Sequence, residues 1–83
     1  MRVFFKLAFV SPREGNEAVL LHWLKPELGF VRAGEEVVEC IDPDGLFLLR
    51  SPATGILAEV FVAEGMRVGE GDILAAIDEG SRM

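Results

Sequence analysis

Tyrosine is absent from this 83-residue chain, and cysteine, histidine and tryptophan occur once each. The lone cysteine, Cys40, has no partner for an intrachain disulfide. Flanked by Glu39 and Ile41, it reads as a small buried apolar residue rather than a reactive thiol. With His22 the single histidine and no second His or Cys at ligand spacing, a zinc site lacks its ligands. His22 reads instead as a solvent-facing strand residue. Serine and cysteine nucleophiles have no partner base beyond this histidine, whose place beside Trp23 suggests no triad, so no enzyme activity is expected. Basic residues number 8 against 14 acidic ones, for a net charge of −6, and no cluster of Lys and Arg forms. That balance argues against a nucleic-acid partner, because phosphate binding depends on clustered cations. Apolar runs are short as well. None approaches the roughly 20 residues of a membrane helix. The longest, Val3 to Val10, is interrupted by Lys6 and followed by no small-residue cleavage pattern, so it reads as a strand rather than a signal peptide. The expectation is a soluble cytoplasmic protein with no membrane partner. Lysine occurs only twice, as Lys6 and Lys25, a scarcity with chemical consequences below.

Helical periodicity is missing too, whereas short β-type runs alternate with turn residues along the whole chain. The runs are Val3 to Val10, Ala18 to Leu24, Val37 to Ile41, Leu46 to Arg50, Ile56 to Val62 and Ile73 to Ile77, with shorter pieces around Val31 and Val68. Between them lie segments such as Ser11-Pro12-Arg13-Glu14-Gly15, Asp42-Pro43-Asp44-Gly45 and Ser51-Pro52-Ala53-Thr54-Gly55, whose Gly, Pro, Asp and Ser residues turn the backbone. The fold is therefore expected to be all-β. No linker divides the chain, so a single domain over residues 1–79 is expected, with Gly80-Ser81-Arg82-Met83 as a flexible end.

The two halves resemble each other. Val31, Gly34, Val37 and Cys40 repeat as Val68, Gly71, Leu74 and Ile77 at a constant offset of 37, and Glu27 and Glu64 keep the same offset. Neither copy can bury a face alone. The expected solution is a flattened β-barrel or sandwich of two small antiparallel sheets related by an approximate twofold axis.

An ordered series of segments resembles the lipoyl and biotinyl carrier domains, most closely the lipoyl domains of the acyltransferase component of 2-oxo acid dehydrogenase complexes. Phe5-Lys6-Leu7 is similar to that family's opening strand, and Glu14-Gly15 to its following loop. His22-Trp23-Leu24-Lys25-Pro26 resembles the tryptophan strand and lysine-proline turn. Gly29-Phe30-Val31-Arg32-Ala33-Gly34-Glu35 resembles the glycine-rich turn, one residue shorter, and Val37-Val38-Glu39-Cys40 leads toward the cofactor hairpin. Ser51 to Val60 and Glu64 to Ala75 match the second half. The resemblance covers nearly the whole chain and implies the barrel-sandwich hybrid fold of that family.

It also implies a lysine at the hairpin tip, eight residues before the proline that Pro52 matches, and there the likeness breaks. Asp44 occupies that position, within the tip Asp42-Pro43-Asp44-Gly45. Lipoate is joined to the family's lysine as an amide, and an aspartate offers no amine to acylate. Pro43 and Gly45 offer none either, and Lys6 and Lys25 are remote from the tip in sequence. The expectation is a lipoyl-domain-like protein without cofactor, acting as a non-catalytic binding or structural module, with a 2-oxo acid dehydrogenase component as the implied protein partner. The alternatives are an acyl or carboxyl carrier modified elsewhere, at Lys6, Lys25 or Cys40, and a lipoyl-type module of a carboxylase or transporter adaptor.

Asp-Pro-Asp-Gly suits a type I turn, so Asp42 and Asp44 read as turn residues and solvated charges. The same residues form a fragment of a calcium loop, without the first aspartate and the distal glutamate that complete it. Gly65, Gly69 and Gly71 match neither a dinucleotide fingerprint nor a P-loop and read as turns. Glu27, Glu35, Glu36, Glu39, Glu64, Glu70 and Asp72 read as a solvated surface, with a face for a basic partner as the sharper alternative. Adjacent Phe4 and Phe5 cannot both point inward from one strand, so one of them is expected to be partly exposed.

Overall fold

The structure is a computed structural model that describes residues 2–13, Gly15 and 17–81. Eight strands form in chain order: β1 Arg2–Ala8, β2 Ala18–Trp23, β3 Phe30–Val31, β4 Glu36–Asp42, β5 Gly45–Arg50, β6 Gly55–Val60, β7 Arg67–Val68 and β8 Ile73–Ser81. No helix occurs among the described residues. The apolar runs become the long strands, and the turn segments between them become the connections. Gly80 and Ser81, which the sequence assigns to a loose end, continue β8, because Val3 and Arg2 of β1 lie opposite to pair with them. Arg82 and Met83 lie outside the described residues, as does Glu14 of the Glu14-Gly15 pair.

The strands make two four-stranded antiparallel sheets, ordered β1-β8-β6-β3 and β5-β4-β2-β7. Neither sheet closes on itself, so of the two expected forms a closed barrel is not what these pairings make. The sheets share one buried cluster. Leu7, Leu57, Leu74, Ala75 and Ile77 enter it from the first sheet, and Ala18, Leu20, Val38, Cys40 and Val68 from the second. Toward the end of β4 inward residues alternate with outward ones, as the pleat requires: Val38, Cys40 and Asp42 are buried, while Glu39 is half-buried and Ile41 exposed. At its start, where the register shifts between Glu36 and Val38, Val37 is buried as well.

The offset of 37 reappears in the hydrogen bonds. Leu20 N donates to Met66 O and Leu57 N to Gly29 O, both at 2.9 Å. Gly65 N donates to Leu20 O and Leu28 N to Leu57 O, both at 2.7 Å. In each pair, moving one partner forward by 37 and the other back by 37 generates the second bond from the first. That reciprocity is what a twofold relation between the halves produces. It also relates the sheets strand for strand, with β8, β6 and β3 standing where β4, β2 and β7 stand.

Side chains obey the same relation. Glu64 Oε2 accepts from Trp23 N and Glu27 Oε2 from Val60 N, each at 2.8 Å. Glu35 Oε1 accepts from Arg32 N at 3.1 Å, and Asp72 Oδ2 from Gly69 N at 2.8 Å. The sequence alone suggests solvated charges at these positions. The acids instead satisfy turn and strand-end N–H groups that have no ladder partner, which explains why glutamate and aspartate recur at the repeat positions.

Candidate hairpin-tip site

The β4–β5 hairpin carries the tip singled out by the sequence. Asp42 and Gly45 pair across its end, with Pro43 and Asp44 as the two connecting residues. Neither Pro43 nor Asp44 has a positive φ, whereas Gly45 does, at 132°. Absence of positive φ at both central positions excludes the primed and type II turns and agrees with the type I expectation. Proline sets the first central residue and glycine takes the conformation after the turn that other residues avoid.

The two aspartates divide the work. Asp42 is the last inward position of β4, two residues beyond Cys40, and its side chain is 0% exposed. Its Oδ1 accepts from Asp44 N at 2.8 Å and Gly45 N at 3.1 Å, closing the turn from within. The same oxygen accepts from Arg13 Nη2 at 2.6 Å. Asp42 is therefore no solvated charge, which corrects the sequence reading. Strand parity turns it inward, and these donors offset its desolvation. Asp44 is the solvated one, with a side chain 59% exposed, yet its Oδ2 lies 3.0 Å from Arg13 Nε. One guanidinium thus spans both carboxylates. The hydrogen bond to Asp42, with the negative charges of Asp42 and Asp44, raises the Arg13 pKa above its ordinary value against the opposing effect of desolvation.

Arg13 was not singled out by the sequence. It stands in the β1–β2 connection, 29 residues from Asp42, and no local spacing links the two. The lysines are elsewhere. Lys6 lies on β1 opposite Ala76, in the other sheet. Lys25 follows β2 and binds Glu35 Oε2 at 2.9 Å. Glu35 directly precedes β4, whose far end is Asp42, so at about 3.3 Å per residue Lys25 is held roughly 20 Å from the tip. The Lys25 hydrogen bond and that from Arg32 N hold the Glu35 carboxyl below its usual range. Cys40 is fully buried, and desolvation, with the nearby Glu39 charge, pushes its thiol up to about 11. His22 is exposed, with Nδ1 3.8 Å from Glu64 Oε2. Phe4 and Phe5 both retain exposure, Phe4 pointing outward opposite Asp78 and Phe5 lying opposite the buried Ile77.

Beside the tip, a shallow open depression of about 390 Å³ runs over the outer face of the second sheet, between Val19, Ile41, Pro43 and Arg67. Among the described residues no three His, Cys, Asp or Glu side chains converge to hold a metal ion, and no helix is long and apolar enough to cross a membrane. Among the described residues, the tip is an ion-pair cap of Arg13, Asp42 and Asp44 with no amine at the turn. Neither a protein-family model nor a curated protein matches the sequence.

Proposed function

We propose that the chain is a lipoyl-domain-like sandwich whose carrier chemistry has been lost, and that it acts in the cytoplasm as a non-catalytic binding or structural module beside a 2-oxo acid dehydrogenase complex or a relative of one. The observation that carries this reading is the Arg13–Asp44 pair at the hairpin tip, where the resembled family bears its modified lysine. A carboxylate already engaged by a guanidinium has no amine to acylate. Two four-stranded antiparallel sheets that share one core, and a repeat at offset 37 carried into reciprocal hydrogen bonds, support the fold half of the proposal. Against a carrier modified elsewhere stand the distance of Lys6 and Lys25 from the tip and the burial of Cys40.

Incubation with a lipoate ligase, ATP and lipoate, followed by intact-mass measurement, tests the loss of carrier chemistry. The expected result is an unchanged mass, and a lipoyl adduct on the wild-type chain overturns the proposal. Affinity purification from the native host, with mass spectrometry of bait and partners, tests the other half. An acyl or carboxyl adduct on the bait at Lys6, Lys25 or Cys40 replaces the binding-module reading with that of a carrier.

A further inference from the structure

The two sheets each end on a long edge strand, β1 in one and β5 in the other, and the two edges are protected very differently. β1 carries Lys6 near its middle and shifts register twice, between Val3 and Phe4 and between Leu7 and Ala8. A charge and bulges are the devices by which edge strands avoid pairing with other chains. β5 has neither over its first five residues. Gly45-Leu46-Phe47-Leu48-Leu49 holds no charge and no proline, and its register against β4 is regular from Gly45 to Leu49. Alternate residues of this strand direct N–H and C=O groups away from β4 with no strand among the described residues to receive them.

The side chains of β5 are left half-finished as well. On the outer face Leu46 is 62% and Leu48 41% exposed, and Leu46 continues across the sheet into Ile41 and Val19. On the inner face Phe47 and Leu49 pack against the core and Phe47 meets Phe9 at a ring-centroid distance of 6.0 Å, yet both stay only partly buried. An added strand would complete both faces at once.

We propose that the occupant is a second copy of this chain, docked antiparallel along β5 with Phe47 on the twofold axis. In that register Leu46 of each copy lies opposite Leu48 of the other, so the four leucines form one apolar stripe on the outer face. Asp44, in the turn directly before β5, and Arg50, at its end, stand three residues to either side of Phe47, so the tip of each copy, where Asp42 and Asp44 outnumber Arg13 by one charge, falls beside Arg50 of the other. Unlike charges meet at both ends of the pairing, and the register one step to either side on the same face loses this match. Arg50 is exposed and hydrogen-bonded to Gly34 O and Glu36 on its own chain, so it can turn to Asp44 at little cost. The contact closes on itself because it is isologous, and the new edges presented are the short β7 strands. Its area is at the small end for stable interfaces, so the dimer is a weak one.

Sedimentation of the full chain from about 5 µM to about 1 mM tests this, since contacts of this size dissociate within that span. The mass is expected to rise from one copy to two and stop there. Leu48→Lys, which sets a lysine on the bare edge as Lys6 does on β1, is expected to stay monomeric with an unchanged circular-dichroism spectrum. Arg50→Asp is expected to weaken the dimer at least tenfold, and adding Asp44→Arg to it is expected to restore association. A wild-type chain that stays monomeric throughout overturns the proposal and leaves the edge to an extended peptide of another protein. Dimers that persist in a folded Leu48→Lys variant, or assemblies that grow past two copies, overturn it equally.

Discussion

Leu28 and Gly65 occupy equivalent positions, 37 residues apart, and both have a positive φ, 72° for Leu28 and 93° for Gly65. Both donate the N–H that ties one half to the other, Leu28 to Leu57 O and Gly65 to Leu20 O. One half thus has the residue that tolerates this conformation and the other does not. Leu28 is 72% exposed, so it gains little burial in exchange for its strain. Leu28→Gly is therefore expected to stabilise the fold by about 0.5–1 kcal/mol, the relief of the left-handed conformation less the extra entropy of an unfolded glycine. Gly65→Leu is expected to destabilise by a similar amount. Chemical denaturation of both variants checks the opposed signs, and a Leu28→Gly variant less stable than wild type contradicts them.

Arg13→Ala is expected to destabilise the fold by about 1–2 kcal/mol, because the buried Asp42 carboxylate loses the charged donor that reaches it at 2.6 Å. Arg13→Lys is expected to recover only part of this, since one ammonium cannot reproduce a guanidinium that reaches Asp42 through Nη2 and Asp44 through Nε. Urea midpoints of the three proteins order them wild type, Arg13→Lys, Arg13→Ala. Equal midpoints would mean that the cap contributes nothing to stability.

The strand positions were legible in the sequence because each apolar run is bounded by residues with a local reason to turn. Even the two-residue strands Phe30–Val31 and Arg67–Val68 were marked by the repeat, through Val31 and Val68. The tip was legible too, since Asp42, Pro43, Asp44 and Gly45 are adjacent and their chemistry is local. The charges were not. Arg13 meets Asp42 across 29 residues, and Glu64 reaches Trp23 N across 41, contacts that depend on how the sheets pack and leave no periodic trace. The burial of Asp42 had a signal that could have been used: counted by strand parity from Cys40, it faces inward.

Lys25→Met is expected to move acid unfolding to higher pH. The folded state favours the charged form of Glu35, chiefly through the Lys25 hydrogen bond, so its folded pKa lies below the unfolded one. Such a group contributes stability above the ordinary carboxylate range and loses it as pH falls through the lowered value. Without Lys25 the contribution shrinks. Fluorescence of Trp23 followed down a pH titration reads the shift, and coincident curves for variant and wild type would remove Glu35 as a source of acid resistance.

Cys40 adds a contribution to stability that is lost at alkaline pH. Burial favours the neutral thiol, so a folded pKa of about 11 against the ordinary 9.0 means that the fold opposes ionisation. The thiol's contribution is complete below pH 9 and is lost as the pH climbs toward 11, the unfolded chain releasing the proton first. At pH 8 the native protein is expected to resist iodoacetamide, with labelling rising only in denaturant. Fast labelling of the native state at that pH would show that the thiol is accessible after all.

Asp44→Lys separates the tip's structure from its lost chemistry. The turn is held by Asp42 Oδ1 on the backbone N–H groups of Asp44 and Gly45, and these bonds do not involve the Asp44 side chain. Among the contacts the substitution removes is an exposed ion pair with Arg13, worth under about 1 kcal/mol. The variant is expected to fold with a thermal midpoint close to that of wild type. It presents an amine at the hairpin tip, so with a lipoate ligase, ATP and lipoate it is expected to gain one lipoyl group while wild type gains none. If the folded variant stays unmodified, a missing lysine is not the only obstacle. Gly45 and the guanidinium of Arg13 beside the new amine are then the next positions to change, and Arg13→Ala combined with Asp44→Lys tells them apart, because it removes the neighbouring charge and leaves the glycine in place.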